Sequence, residues 1–278
     1  MLTSIRGIMA ATISAGIALS ATPALAENNE PTADQVGPAL EVERSVEEFD
    51  IETTNNVGGE SGFELSGNVA MVTDYRFRGV SFSDGDIALQ GGIDLAHSSG
   101  LYIGTWASTI SGGSPYGELE LDVYAGWSGD VSDGVTFDVG LLYYIYPTEN
   151  EFADALDLDT DYFEPYASIG TTLGPVGATL GVAYAWDQSS LGDEDNLYIY
   201  TDLEAGIPDT PVTFTAHLGY TDGVFATQAD GSSFDWGLGV SYAVTENLSL
   251  GFDYVDTQGP SFEDFTDAGF LFTIGYSM

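Results

Sequence analysis

Two histidines, His97 and His217, are the only side chains of this sequence that titrate near neutral pH, and there is no cysteine to serve as a thiolate nucleophile or metal ligand. Acid–base chemistry at pH 7 would have to run through one of them or through a carboxylate pair with separated pKa values. His97 opens the turn-like run His97-Ser98-Ser99-Gly100, and His217 alternates with Thr213 and Thr215, where it reads as a hydrogen-bonding residue of a wall or lumen. No G-x-S-x-G elbow and no H-E-x-x-H pair occurs. Carboxylates are plentiful, but none stands out as a pair. The expectation is a protein without catalytic residues, cofactor or metal centre, with a membrane-bound barrel hydrolase, or a non-conducting barrel with a surface or adhesion role, as the alternatives.

The charged residues carry a more specific pattern. Asp74, Glu118, Glu120, Asp122, Asp138, Glu164, Asp202, Glu204, Asp235 and Asp253 all fall on the polar side of runs that alternate apolar and polar. If the apolar sides meet lipid, these acids line a lumen together with His217, same-face neighbours in one strand lying about 7 Å apart. Such a lumen favours cations. Arg76 and Arg78 share the polar side of the first run with Asp74. A guanidinium facing mid-bilayer costs about 2–4 kcal/mol, so both are expected inside. There they either set up a transverse field that orients dipolar or anionic solutes, or staple the first strand to acids on its neighbours.

The elements that must position these residues repeat about twelve times between residues 62 and 278. Each is a run of about ten residues with period two, followed by a connector that is alternately short and long. In the run 117–129, Leu119, Leu121, Val123, Ala125 and Trp127 share one side, and Glu118, Glu120, Asp122, Tyr124 and Gly126 the other. Helical spacing would scatter both sets around the axis. Strands are expected near 62–79, 86–97, 100–110, 117–129, 134–146, 161–173, 175–187, 195–207, 211–221, 232–245, 246–257 and 265–278. The fold class expected is all-β, a transmembrane antiparallel up-and-down barrel of about 12 strands, with short turns toward the periplasm and long loops outside. A soluble barrel with these residues inside is disfavoured, because side chains fill an interior of about eight strands and leave a wider one hollow. Trp127, Tyr143, Trp186, Tyr220, Trp236, Tyr242, Tyr254 and Tyr276 sit toward strand ends, as interfacial girdles require.

Residues 1–26, with Arg6, an apolar run from Ile8 to Ala21 and the Ala24-Leu25-Ala26 site, read as a signal peptide. Residues 27–61 hold ten acids and no alternation, and read as a flexible acidic extension with a short amphipathic turn through Val42, Val46, Phe49 and Ile51. Residues 62–278 form the barrel. The whole chain has 44 Asp plus Glu against four basic residues, all arginine, for a net charge of −40. That self-repulsion calls for salt or counter-ions, and it rules against nucleic acid as a partner. Stretches 148–161 and 187–196 offer oxygen ligands for divalent cations without matching a calcium-loop pattern. The remaining partners expected are outer-membrane lipid, the barrel assembly machinery and small hydrophilic solutes.

Ser66 to Ser108, which contains DYRFRG, DGDIALQGG and GTWAS, together with ELELDVYAGWSG from Glu118 and DVGLLYYIYP from Asp138, resembles the TorF-type family of outer-membrane porin-like proteins, a conserved bacterial family of uncharacterised function. The resemblance covers about the first half of the barrel. It implies a channel in the cell outer membrane, with no catalytic residues. The chain departs from the usual ending of such proteins in placing Met278 last, although Phe272 and Tyr276 keep the phase.

Overall fold

The computed structural model describes residues 62–148 and 159–278. The signal peptide, the acidic extension and most of the stretch 148–161 lie outside the described residues. Among the described residues there are fourteen strands: β1 (Phe63–Val72), β2 (Arg76–Phe77), β3 (Val80–Ser81), β4 (Ala88–His97), β5 (Leu101–Gly112), β6 (Gly117–Ser132), β7 (Val135–Ile145), β8 (Tyr162–Leu173), β9 (Val176–Gln188), β10 (Glu194–Gly206), β11 (Val212–Gly223), β12 (Ser232–Ala243), β13 (Leu248–Thr257) and β14 (Gly269–Ser277). All except β2 and β3 form one closed barrel of twelve strands, each paired antiparallel with its neighbours. One helical turn, α1 (Gly113–Tyr116), lies in the connector before β6, and a 3-10 turn spans Ser189–Leu191.

Closure follows from β1 pairing on both sides, with β4 through Val72↔Ala88 and with β14 through Asn68↔Ser277. Each barrel strand therefore has a hydrogen-bonded neighbour on both sides, which a strand in hydrocarbon requires. The alternation read from the sequence is the alternation of the wall. Leu89, Ile93 and Leu95 of β4, Leu180, Val182, Tyr184 and Trp186 of β9, Leu238 of β12 and Phe270, Phe272 and Ile274 of β14 are exposed on the outer face. Girdle aromatics stack on that face at the long-loop end, with Tyr143 over Phe163 at 4.2 Å between ring centres and Phe163 parallel to Trp186 at 6.1 Å.

The first expected strand is a correction. The wall strand β1 stops at Val72 rather than near residue 79, and residues 73–87 fold inward as a long connector carrying the miniature hairpin β2–β3. The turn is the pair Arg78-Gly79, with φ of 45° and 79°. Positive φ at both positions is the pattern of a two-residue type I′ hairpin, which glycine adopts freely and arginine rarely. A β carbon on Gly79 would also collide with Thr257 and the Asp256 carbonyl, so the turn needs glycine for space as well as for angle. Alternation continues through Asp74, Tyr75, Arg76, Phe77 and Arg78, which is why the segment reads as more strand: β2 is one, but it is not part of the wall.

Candidate functional site: an acid-lined lumen with an inserted hairpin

The barrel interior has two zones. In the half nearer the long loops, the hairpin fills the space. Tyr75, Phe77, Tyr144, Tyr146 and Tyr162 are buried there with Leu142, Leu191, Phe225 and Leu271 as one apolar cluster, and Val80 is buried as well. Tyr75 meets Phe82 edge-on at 5.3 Å and Trp106 at 5.5 Å, and Phe77 stacks on Phe82 at 5.4 Å. A twelve-stranded wall is too wide for its own side chains to close, and this connector supplies the missing filling.

Charged groups pin the hairpin at both ends. Arg76 donates to Asp74 and to the carbonyls of Asp267 (2.6 Å) and Gly79 (3.2 Å), with its guanidinium lying against Gly269 of β14. Asp74 also accepts hydrogen bonds from Ser81 (2.5 Å) and Ser83 (3.0 Å). Across the lumen, Arg78 donates to Glu164 of β8 at 3.0 Å, both side chains being 3% exposed. Its guanidinium carbon lies 3.9 Å from the ring centre of Tyr198 on β10, with Phe77 and Phe225 at 4.9 and 5.7 Å. Arg78 therefore staples the hairpin to the far wall, not the first strand to its neighbours. Tyr75 donates to Glu120 at 3.0 Å, and Tyr144 donates to the second oxygen of Glu164 at 3.0 Å.

Asp122, fully buried on β6 beside Glu120, has two carboxylate oxygens with no hydrogen-bond partner among the described residues. Buried carboxylates without partners are uncommon.

In the other half the lumen is lined by half-buried polar groups. Asp138 accepts from Tyr102 (2.9 Å), and Asp94 accepts from Tyr124 (2.5 Å). His217 places Nδ1 2.5 Å from Asp202 and Nε2 3.0 Å from Asp235, with the Tyr198 hydroxyl 2.8 Å from Nε2 and 3.0 Å from Asp235. With hydrogens on both nitrogens, every one of these contacts is a donor facing an acceptor. Both nitrogens are then committed to carboxylates, and neither is free to take a proton from a nucleophile. Asp253 is half-buried on the same inner face. Glu118 and Glu204 share the inward phase but are exposed at opposite ends of the barrel, Glu118 at the long-loop rim and Glu204 at the short-turn mouth. Among the described residues no group of three or more His, Cys, Asp or Glu is arranged to hold a metal ion.

The inward tyrosines were not singled out in the sequence, although their phase was legible, since each shares a side with the acids. They lie flat on the wall. A β carbon on Gly104, Gly126, Gly140, Gly181 or Gly219 would overlap the ring of Tyr124, Tyr102, Tyr166, Tyr200 or Tyr198 respectively. The first four of these pairs are direct cross-strand partners. Each glycine is thus a recess that keeps a large ring out of the lumen. Gly181→Ala is expected to tip the far end of Tyr200 into the pore and lower single-channel conductance, with a stability loss of about 1–3 kcal/mol from overpacking. Tyr200→Ala in the same background should restore the current.

Solved structures that resemble the barrel include two porins. The NanC porin matches with a TM-score of 0.51 at 12% identity, over 77% of this chain and 98% of that one. A KdgM porin, solved with disordered oligogalacturonate, matches with a TM-score of 0.50 at 8% identity, over 77% and 96%. At such identities the likeness concerns the fold, which is that of outer-membrane porins. No curated protein matches the chain. A bacterial family of unknown function, Gcw_chp, has a model that matches residues 56–276, well beyond the half of the barrel in which a family resemblance was legible. The chain belongs to the Gcw_chp family.

Proposed function

We propose that this protein is an outer-membrane channel for the passive diffusion of small hydrophilic solutes, with a lumen that favours cations. The observation that carries this reading is the inner face itself. Asp94, Asp138, Glu204 and Asp253 line the open half, the rings beside them are folded against wall glycines, and the inward Arg76, Arg78 and His217 each already have carboxylate partners of their own. An uncompensated negative lining in a low-dielectric wall concentrates cations and repels anions. The resemblance of the DYRFRG segment to TorF-type porin-like proteins supports the same reading.

Reversal potentials across a planar bilayer under a KCl gradient test it. The wild-type protein is expected to prefer potassium, and Asp138→Asn combined with Asp253→Asn should roughly halve the cation-to-anion permeability ratio. A wild-type preference for chloride would overturn the proposal. A second reading has its own observation behind it: the hairpin fills the long-loop half, so a barrel that stays shut until the hairpin moves also fits. Current steps that are absent from the wild type and present once the hairpin is removed would favour that version.

A further inference from the structure

The contacts made by Arg78 define a receptor as well as a staple. Three groups around its guanidinium belong to elements other than the hairpin, Glu164 from β8, Tyr198 from β10 and Phe225 from the connector after β11, while Phe77 of the hairpin itself lies at 4.9 Å. These groups are preset by contacts of their own. Tyr198 is held through its hydroxyl by Asp235 (3.0 Å) and His217 (2.8 Å), and the Glu164 oxygen not used by Arg78 accepts from Tyr144 at 3.0 Å. A flat aromatic face with a carboxylate oxygen at its margin suits a planar cation that stacks and donates sideways at once. A guanidinium does both, whereas a compact, strongly hydrated ammonium cannot stack.

We propose that Glu164, Tyr198 and Phe225 form a recognition site for guanidinium-bearing solutes, occupied in cis by Arg78 and open to exchange with a free solute entering the lumen. This rests on the channel reading, because the solute must reach the site through the pore. Arg78 acts as a tethered occupant. Its tether gives it a high effective concentration, so free guanidinium competes poorly in the wild type and binds well only once the side chain is removed.

The test uses the full chain refolded into planar bilayers, with methylguanidinium chloride as probe and methylammonium chloride at equal ionic strength as control. Arg78→Ala is expected to conduct more than the wild type. Methylguanidinium should then reduce its current saturably, at concentrations about tenfold lower than methylammonium requires. Tyr198→Ala added to Arg78→Ala should erase that difference. If Arg78→Ala fails to assemble, Arg78→Lys, which keeps a charge but cannot stack, carries the same comparison. Titration calorimetry of these variants in detergent reads binding without conduction. Saturable, guanidinium-selective binding by a protein that never conducts would sink the diffusion reading and leave the site standing. Conduction by Arg78→Ala with equal effects of the two cations, or with no effect of either, would overturn the site and leave the channel.

Discussion

A chain in which residues 74–86 are replaced by an Asn-Gly turn will conduct several times more than the wild type and still assemble. The wall does not need the segment. Val72 and Ala88 are direct cross-strand partners, so Thr73 and Ile87 already stand where a two-residue hairpin turn would begin and end. Thr73 keeps its amide bond to the Phe272 carbonyl at 3.0 Å, and the closure of β1 onto β14 is untouched. What is lost is the filling: Tyr75, Phe77, Val80 and Phe82 leave, and with Tyr75 and Arg78 goes one partner each of Glu120 and Glu164, Tyr146 and Tyr144 remaining. Those carboxylates are rehydrated, because water enters the space the hairpin held. In a closed pore the same carboxylates would be stranded, at about 3–5 kcal/mol for a broken buried pair. Single-channel recording beside the wild type decides the matter. Equal conductance would mean that the hairpin does not narrow the path, and failure to assemble would mean that it is part of the folding nucleus.

The second large effect concerns which side of the wall faces lipid. Leu238 is 63% exposed near the middle of β12, and Thr215 lies one strand away with its side chain in the lumen near Asp253. Leu238→Arg should cost about 2–4 kcal/mol, because a guanidinium at the bilayer midplane has neither water nor partner. Thr215→Arg should cost little, because it meets the carboxylates of Asp253 and of Glu204, its cross-strand neighbour. Folding yield into lipid vesicles, followed by the heat-modifiable mobility of barrels on gels, measures both. An Arg tolerated at 238 and rejected at 215 would reverse the assignment of the two faces and remove the basis for a polar lumen.

The prediction for Gly181 and the guanidinium test probe finer points. One asks whether wall glycines hold the bore open, the other whether the hairpin's anchor is a binding site in its own right.

The linear order of residues determined the wall. Period-two alternation can satisfy lipid and water at once only in a strand, and a connector rhythm of short and long can close such strands only as an up-and-down barrel. Local pattern was therefore enough for strand number, for most strand limits and for the direction of Asp122, Asp138, Asp202 and His217. The inward phase of Tyr102, Tyr124, Tyr166, Tyr198 and Tyr200 was equally visible. That these rings lie against glycines was not, because the glycine is on a neighbouring strand and register is a property of the pair. The fate of residues 73–87 was decided by tertiary structure alone. Alternation looks the same whether a strand joins the wall or folds into the interior. Arg78 turns back at Gly79 because Glu164 and Tyr198, distant in sequence, wait across a lumen that exists only once twelve strands have closed. A periodic pattern reports which side of a strand is polar. It takes the assembled barrel to say what that side meets.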